Sequence, residues 1–351
     1  MKIDKNGGFF MKKLIAILFV FSFLLCGCTQ GNKTDDKKAT VKAENSKITT
    51  TAPFKAVEKI NHYVLNTDAE KCASDEVKET YKRFVDAIYS CEKNVYLSDS
   101  YDDNLYVLVI AKSNPAYFVV KDTKFSSDKK SVTVKYKYKP KKQKEVLNYI
   151  DNEYLTILND IIKKDYNDLD KILAVYHYFS SRIEYDYDWL DGLNMSDNKY
   201  LYPDIAVYQA LKNNKGVCHS YAYLCHYAFQ QLGIKSFCVT GDMKNSDEGH
   251  MWLLVEIDGK YYHIDPTWDR NQDGTVSLRY FGLTDKERAE DIEINYNIEI
   301  DENFGKIHCK DNKFKFLRDV DRFDFDKNGK IKVTLTSGEE KILNTKTISF
   351  E

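Results

Sequence analysis

The chain is 351 residues long, 43% hydrophobic and 30% charged, with a formal net charge of −2. That is enough apolar material for one large core or two smaller ones, which excludes a disordered chain. The absence of a basic block excludes a nucleic-acid binder, and the abundant Tyr, Lys, Asn and Ile follow from a biased composition that names no ligand.

Lys12 and Lys13 precede an apolar run from residue 14 to residue 25. Its length fits the h-region of a signal peptide and is too short to span a membrane as a mature helix, so the chain is expected to leave the cytoplasm. Leu25-Cys26-Gly27-Cys28 resembles the bacterial lipobox, in which a small residue precedes the cysteine that is lipidated. Cys28 follows Gly27 and fits; Cys26 follows Leu25 and does not. A cysteine pair in an ordinary secretory signal is the plainer alternative. Residues before Met11 add nothing to this signal, and Met11 is read as the start of translation. Cleavage after residue 27 removes four lysines against Asp4 and leaves the mature chain more acidic. Residues 28–53 contain almost no large apolar side chains and are expected to form a flexible tether, because they cannot bury enough surface to offset the entropy of ordering.

Six cysteines lie beyond the signal, scattered through a sizeable chain, and are read mostly as free thiols. Cys72 with Cys91 is the one pair left open as a bridge.

Residues 54–144 read as a small α+β region. Val77, Tyr81, Phe84, Val85 and Ile88 recur at helical spacing over residues 75–91, and β-rich runs follow at 116–120 and 131–138. A Lys-rich stretch at 140–144 separates this region from a second one over 145–309. There a helix is predicted over 145–166, and Asn167 or Asp168 caps the next, which runs to Ile183. Pro203 opens a short helix toward Leu211, Asn213-Asn214 ends it, and Gly216 supplies a bend. A helix over 218–232 closes at Gly233. Residues 310–351 read as short strands with turns at Asn328-Gly329 and Ser337-Gly338.

Cys218 falls at the start of a predicted helix, where unpaired backbone N–H groups and the helix dipole favour a thiolate. Cysteine is also among the most often buried residues, so position alone does not make it a nucleophile. A hairpin adds the second half of the argument. Met251, Leu253, Val255 and Ile257 alternate up to Asp258-Gly259, and Tyr262 and Ile264 alternate beyond it. A two-residue turn there pairs Ile257 with Lys260, Val255 with Tyr262 and Trp252 with Asp265. His250, Trp252 and Asp265 then project from one side, with Asp265 diagonal to His250 and placed to orient its far nitrogen.

Three segments carry a specific resemblance: Gly216-Val217-Cys218-His219-Ser220-Tyr221-Ala222, then Gly249-His250-Met251-Trp252, then Tyr262-His263-Ile264-Asp265-Pro266-Thr267-Trp268. Their order and spacing resemble the transglutaminase-like superfamily. Residues 183–187 and 206–211 upstream, and 279–284 downstream, look like the corresponding stretches of bacterial members, so the resemblance covers about residues 165–290. It implies an α+β, papain-like core in which the cysteine helix packs against an antiparallel sheet carrying His250 and Asp265. It also implies acyl transfer through a Cys218–His250–Asp265 triad, on a protein or peptide substrate at the cell envelope. His219-Ser220 departs from the acidic residue and Gly commoner there.

The backbone N–H of Cys218 is read as one oxyanion donor and Tyr208 as a candidate for the second, with a merely packed helix residue as the alternative for Tyr208. His219, Cys225 and His226 are not read as a metal cluster with Cys218, since seven residues on a helix span about 10.5 Å. His263 competes with His250 as the base but lies deeper in the hairpin, opposite Leu254. Asp269, Asn271, Asp273 and Gly274, and again Asp324, Asp326, Asn328 and Gly329, match the first half of a calcium loop, but Tyr280 and Leu335 stand where the closing Glu belongs. No cofactor and no metal are expected. A binding or scaffold module without turnover remains the alternative to an enzyme.

Overall fold

The computed structural model describes residues 54–65, 73–111, 114–188, 205–246, 248–295 and 307–351. The signal, lipobox and tether, Cys72 and Pro203 lie outside them.

The first described helix, Asp75–Ser90, starts where Ser74 accepts the N–H of Val77 and ends where Cys91 turns left-handed at φ 59°. It buries Val77, Tyr81, Phe84, Val85 and Ile88, the face the spacing predicts. Cys91 is a free thiol. A small antiparallel sheet runs in the order Asn94–Tyr96, Ser131–Tyr136, Val120–Phe125. Residues 116–120 were expected to be β, yet Pro115–Val119 is a 3₁₀ turn and the strand begins only at Val120. Asn114 Oδ1 accepts the Ala116 N–H at 2.8 Å and Pro115 fixes the first φ, so turn chemistry overrides the β propensity of the run.

After the helix Tyr101–Ala111 comes Pro140–Ile161, which starts and ends five residues ahead of the helix predicted over 145–166. Pro140 occupies the first helical position, where its missing N–H costs nothing, and Lys141, Lys142 and Lys144 belong to the opening turns. Asn167 and Asp170 form a capping box that starts Asp168–Arg182. Ile205–Gln209 is π-helical and runs into Ala210–Asn213, which stops at Asn214 with φ 54°. Lys215–Gly216 then pairs in parallel with Glu184–Tyr185, so the chain enters the following helix from a short strand rather than from a bend.

That helix, Cys218–Gln231, closes at Gly233 with φ 75°. It packs on Ser236–Met243 and Gly249–Ile257, two strands of a five-stranded antiparallel sheet. The sheet order is Ile292–Asn295, Ser236–Met243, Gly249–Ile257, Lys260–Ile264, Phe281–Leu283. Leu253, Val255 and Ile264 join the core shared with the helices, while Trp252 and Leu254 pack with Phe237, Val239 and Ile292 on the other side. The sheet therefore buries both faces. The fold is α+β, with the cysteine helix packed on an antiparallel sheet. Residues 320–350 add a four-stranded antiparallel sheet whose first two turns are at Gly329 and Gly338, each at φ 84°.

Candidate active site

Asp258 and Gly259 take φ of 52° and 75°, the left-handed pair that a two-residue hairpin turn requires. The register follows: Ile257 pairs with Lys260, Val255 with Tyr262 and Leu253 with Ile264. One step beyond the last of these pairs, Asp265 leaves the strand, and Nε2 of His250 lies 2.7 Å from Asp265 Oδ2. Asp265 is held from every side. Its Oδ1 accepts the N–H groups of Thr267 and Trp268 at 3.1 and 3.2 Å, and the hydroxyl of Tyr176 donates to its carbonyl at 2.8 Å.

With Nε2 engaged, Nδ1 of His250 is the nitrogen left for Cys218, which lines the same cleft and whose charge acts on the ring. Burial alone raises the Cys218 thiol, but hydrogen bonds from His219 and His250, and their positive charge, bring it down to about 6. Burial lowers His250, but the charge and hydrogen bond of Asp265, then Cys218, raise it to about 9. Asp265 is lowered below the ordinary carboxylate range, because His250 and Arg288 outweigh the effect of burial. Between those limits the charged pair, thiolate and imidazolium, is the favoured form.

Cys218 and His250 line a cleft of about 630 Å³, with Asp265 buried behind His250. Tyr185, Tyr187, Trp268 and Tyr280 wall it, and the exposed Glu184 and Glu248 add negative charge. Tyr208 is not among the residues that line it. Its ring packs edge-on against Tyr149 at 5.5 Å, because the π-helical turn carries it onto the helix Pro140–Ile161. The tyrosine that feels the Cys218 charge is Tyr185, raised by burial first and by the thiolate second. Cys225 is fully buried, and His226 meets Ser236 Oγ at 2.8 Å with its pKa lowered to about 4 by burial. Both belong to the packing beneath Cys218.

In each calcium half-loop one of the acids is already engaged by the protein. Asp269 is buried; its Oδ1 accepts from Ser277 at 2.5 Å and from the Tyr280 N–H at 3.0 Å, and its Oδ2 accepts from Tyr176 at 2.5 Å. Asp326 Oδ1 accepts the N–H groups of Asn328 and Lys330 in a hairpin turn. His263, Asp285 and Cys309 bring three donor atoms together. However, the Trp252 indole donates to His263 Nδ1 at 2.9 Å, so Nε2 carries the proton, which Asp285 accepts at 3.0 Å. That is a hydrogen-bonded chain, not a ligand set.

Sequence reasoning missed Arg288. It is 0% exposed, its Nη2 lies 3.0 Å from the same Asp265 Oδ2 that His250 uses, and its guanidinium sits between the rings of Trp252 and Trp268 at 4.4 and 4.2 Å. The local signal is a capping box, Thr284 with Glu287, that opens the four-residue helix Asp285–Arg288. Nothing in that pattern turns an arginine inward.

Residues 152–269 match a family model described as transglutaminase-like domain. Kyphoscoliosis peptidase of Mus musculus is 21% identical over 134 residues, 35% of this chain and 19% of that protein, and the Homo sapiens protein gives the same figures. The chain thus spans about a fifth of the length of these curated relatives. A solved structure assigned to the cysteine proteases, from Cytophaga hutchinsonii, is 21% identical with a TM-score of 0.26 and covers 35% of this chain and 37% of its own. A TGase structure is 20% identical with a TM-score of 0.30, covering 42% and 44%. The chain is similar to the transglutaminase-like superfamily over the region that holds Cys218, His250 and Asp265.

Proposed function

We propose that the protein is a cysteine-dependent acyl transferase or hydrolase acting on amide bonds of a protein or peptide at the cell envelope. The observation that carries this reading is the line Cys218, His250, Asp265, with the thiol drawn down to about 6 and the imidazole drawn up to about 9. The Cys218 thiolate attacks the carbonyl carbon, a C–S bond forms, and the C–N bond breaks as His250 gives its proton to the leaving amine. Water or a second amine then attacks the thioester, His250 takes the proton, and the thiolate departs. The backbone N–H of Cys218, at the first position of the helix Cys218–Gln231, is the oxyanion donor in this reading.

A thiol-directed probe near neutral pH tests the reading. Cys218 is expected to label well ahead of Cys91, which burial holds above its ordinary range. Labelling of Cys218 no faster than Cys91 favours the binding-module alternative. Trapping acyl-enzyme from envelope extracts then identifies the acyl donor. Anchoring through Cys28 belongs to the same proposal, supported by Gly27 before it. If Cys28→Ser leaves membrane association and gel mobility unchanged, the anchor assignment fails.

A further inference from the structure

Four charges alternate through the site: thiolate on Cys218, imidazolium on His250, carboxylate on Asp265 and guanidinium on Arg288. His250 and Asp265 are joined by a hydrogen bond, the Cys218 charge acts on the His250 ring, and Arg288 touches Asp265 alone among them, through the oxygen that His250 also uses. Burying an arginine completely is unfavourable, and here Nε and Nη1 find no hydrogen-bond partner at all. Two indole faces stand in for water around it. A guanidinium kept under those conditions contributes its charge rather than its hydrogen bonds.

That charge matters most after the first half of the reaction proposed above, on which this inference rests. Once Cys218 is acylated its sulfur is neutral, and once the leaving amine has taken the proton His250 is neutral too. Asp265, 1% exposed, is then left with Arg288 as its one contacting cation. A lone carboxylate in that position would draw a proton back onto the His250–Asp265 pair, and a protonated His250 cannot accept a proton from water. We infer that Arg288 is a positioning residue that keeps Asp265 ionised in the acyl-enzyme and so frees His250 to act as the base of the second half-reaction. The other titratable groups near this pair do not supply the charge. Asp269 and Tyr176 lie beneath Asp265, Asp291 and Tyr280 act on Arg288, and His263 is neutral through its bond from Trp252. His219 acts on Cys218 from the far end.

The test uses the full chain with Cys218 alkylated by iodoacetamide, whose neutral thioether sulfur stands in for the thioester. The His250 ring is followed by NMR against pH. Replacing the cation by an apolar side chain that fits between the indoles, Arg288→Met, is expected to raise the His250 titration by about one pH unit or more, leaving about tenfold fewer neutral rings at pH 7. With an activated nitrophenyl ester, the variant is expected to show a preserved burst and a steady state slowed about tenfold, recovering as the pH is raised by a unit. An unshifted His250 titration, or a loss of turnover equal at every pH, overturns the inference, because a purely structural arginine would act that way. If Arg288→Met does not fold, Arg288→Gln carries the same comparison, with the same expected direction and the same overturning result. A wild type whose His250 titrates as expected but which shows no burst sinks the acyl-transfer reading and leaves the charge pairing standing.

Discussion

The indole N–H of Trp252 donates to Nδ1 of His263 at 2.9 Å, and this one bond decides which of two neighbouring histidines can serve Cys218. With Nδ1 accepting and Nε2–H given to Asp285, both nitrogens of His263 are committed, and burial holds the ring neutral. His250 instead keeps Nδ1 for the thiol. His263→Gln is therefore expected to leave turnover within about threefold while lowering Tm, since Trp252 and Asp285 each lose a buried partner at a cost of about 1–3 kcal/mol. Thermal melts beside steady-state rates check this. A drop of two or more orders of magnitude in turnover at unchanged Tm would move the base role to His263.

The pH profile follows from the two shifted groups. The thiolate is present above about 6 and the imidazolium below about 9, and acylation needs both. The expected kcat/KM profile is a bell with its plateau between those limits, while iodoacetamide labelling of Cys218 rises on the acid side near 6. Labelling that begins only in the ordinary thiol range, near 8.5, would show that His219 and His250 do not act on Cys218.

Parts of this arrangement were legible because single residues demanded them. Asp258-Gly259 between alternating apolar runs admits one tight turn, and the turn alone set the register that brings Asp265 beside His250. Asn167 marked a helix start through a side-chain oxygen that accepts a backbone N–H. The strand Ser236–Met243 was not seen, because Gly241 interrupts its pattern. A Cβ at Gly241 would lie 2.4 Å from Ile292 and 2.5 Å from the Glu293 carbonyl, so that glycine serves an approach between strands distant in sequence. Arg288 was illegible for the same reason: only Trp252, Trp268 and Asp265, none of them local, turn it inward. Tyr208 packs against Tyr149 and does not line the cleft, and no local pattern announced the π-helical turn that carries it.

Gly216 gives a test of how the nucleophile is placed. A Cβ there would meet Cβ and Oγ of Ser220 at 2.5 Å, and Ser220 Oγ accepts the Val217 N–H at 3.2 Å. Gly216→Ala must displace Ser220, release that bond and shift the turn that carries Cys218. Turnover is expected to fall by about tenfold to a hundredfold, the scale of an ångström-level misplacement. Adding Ser220→Gly removes the clash and is expected to restore part of the rate. Identical rates in wild type and Gly216→Ala would show that this contact does not set the position of Cys218.

Asp265→Asn joins the two halves of the site. Judged by size alone it should spare the fold, since the amide matches the carboxylate in volume. The structure corrects that expectation, because Arg288 would then be buried with no opposing charge in contact, a change that costs about 3–5 kcal/mol when one partner of a buried pair is removed. The amide also holds His250 in the wrong tautomer and cannot stabilise its positive charge, so turnover is expected to fall on the order of 10⁴-fold. The double variant Asp265→Asn with Arg288→Met separates these effects. It removes the stranded guanidinium and is expected to recover much of the lost Tm while recovering none of the turnover. Melting curves and steady-state rates on the three proteins read both quantities. If the double variant melts no higher than Asp265→Asn, Arg288 is not the source of the instability. If Asp265→Asn turns over near normally while His263→Gln is dead, the pairing of His250 with Asp265 does not carry the chemistry.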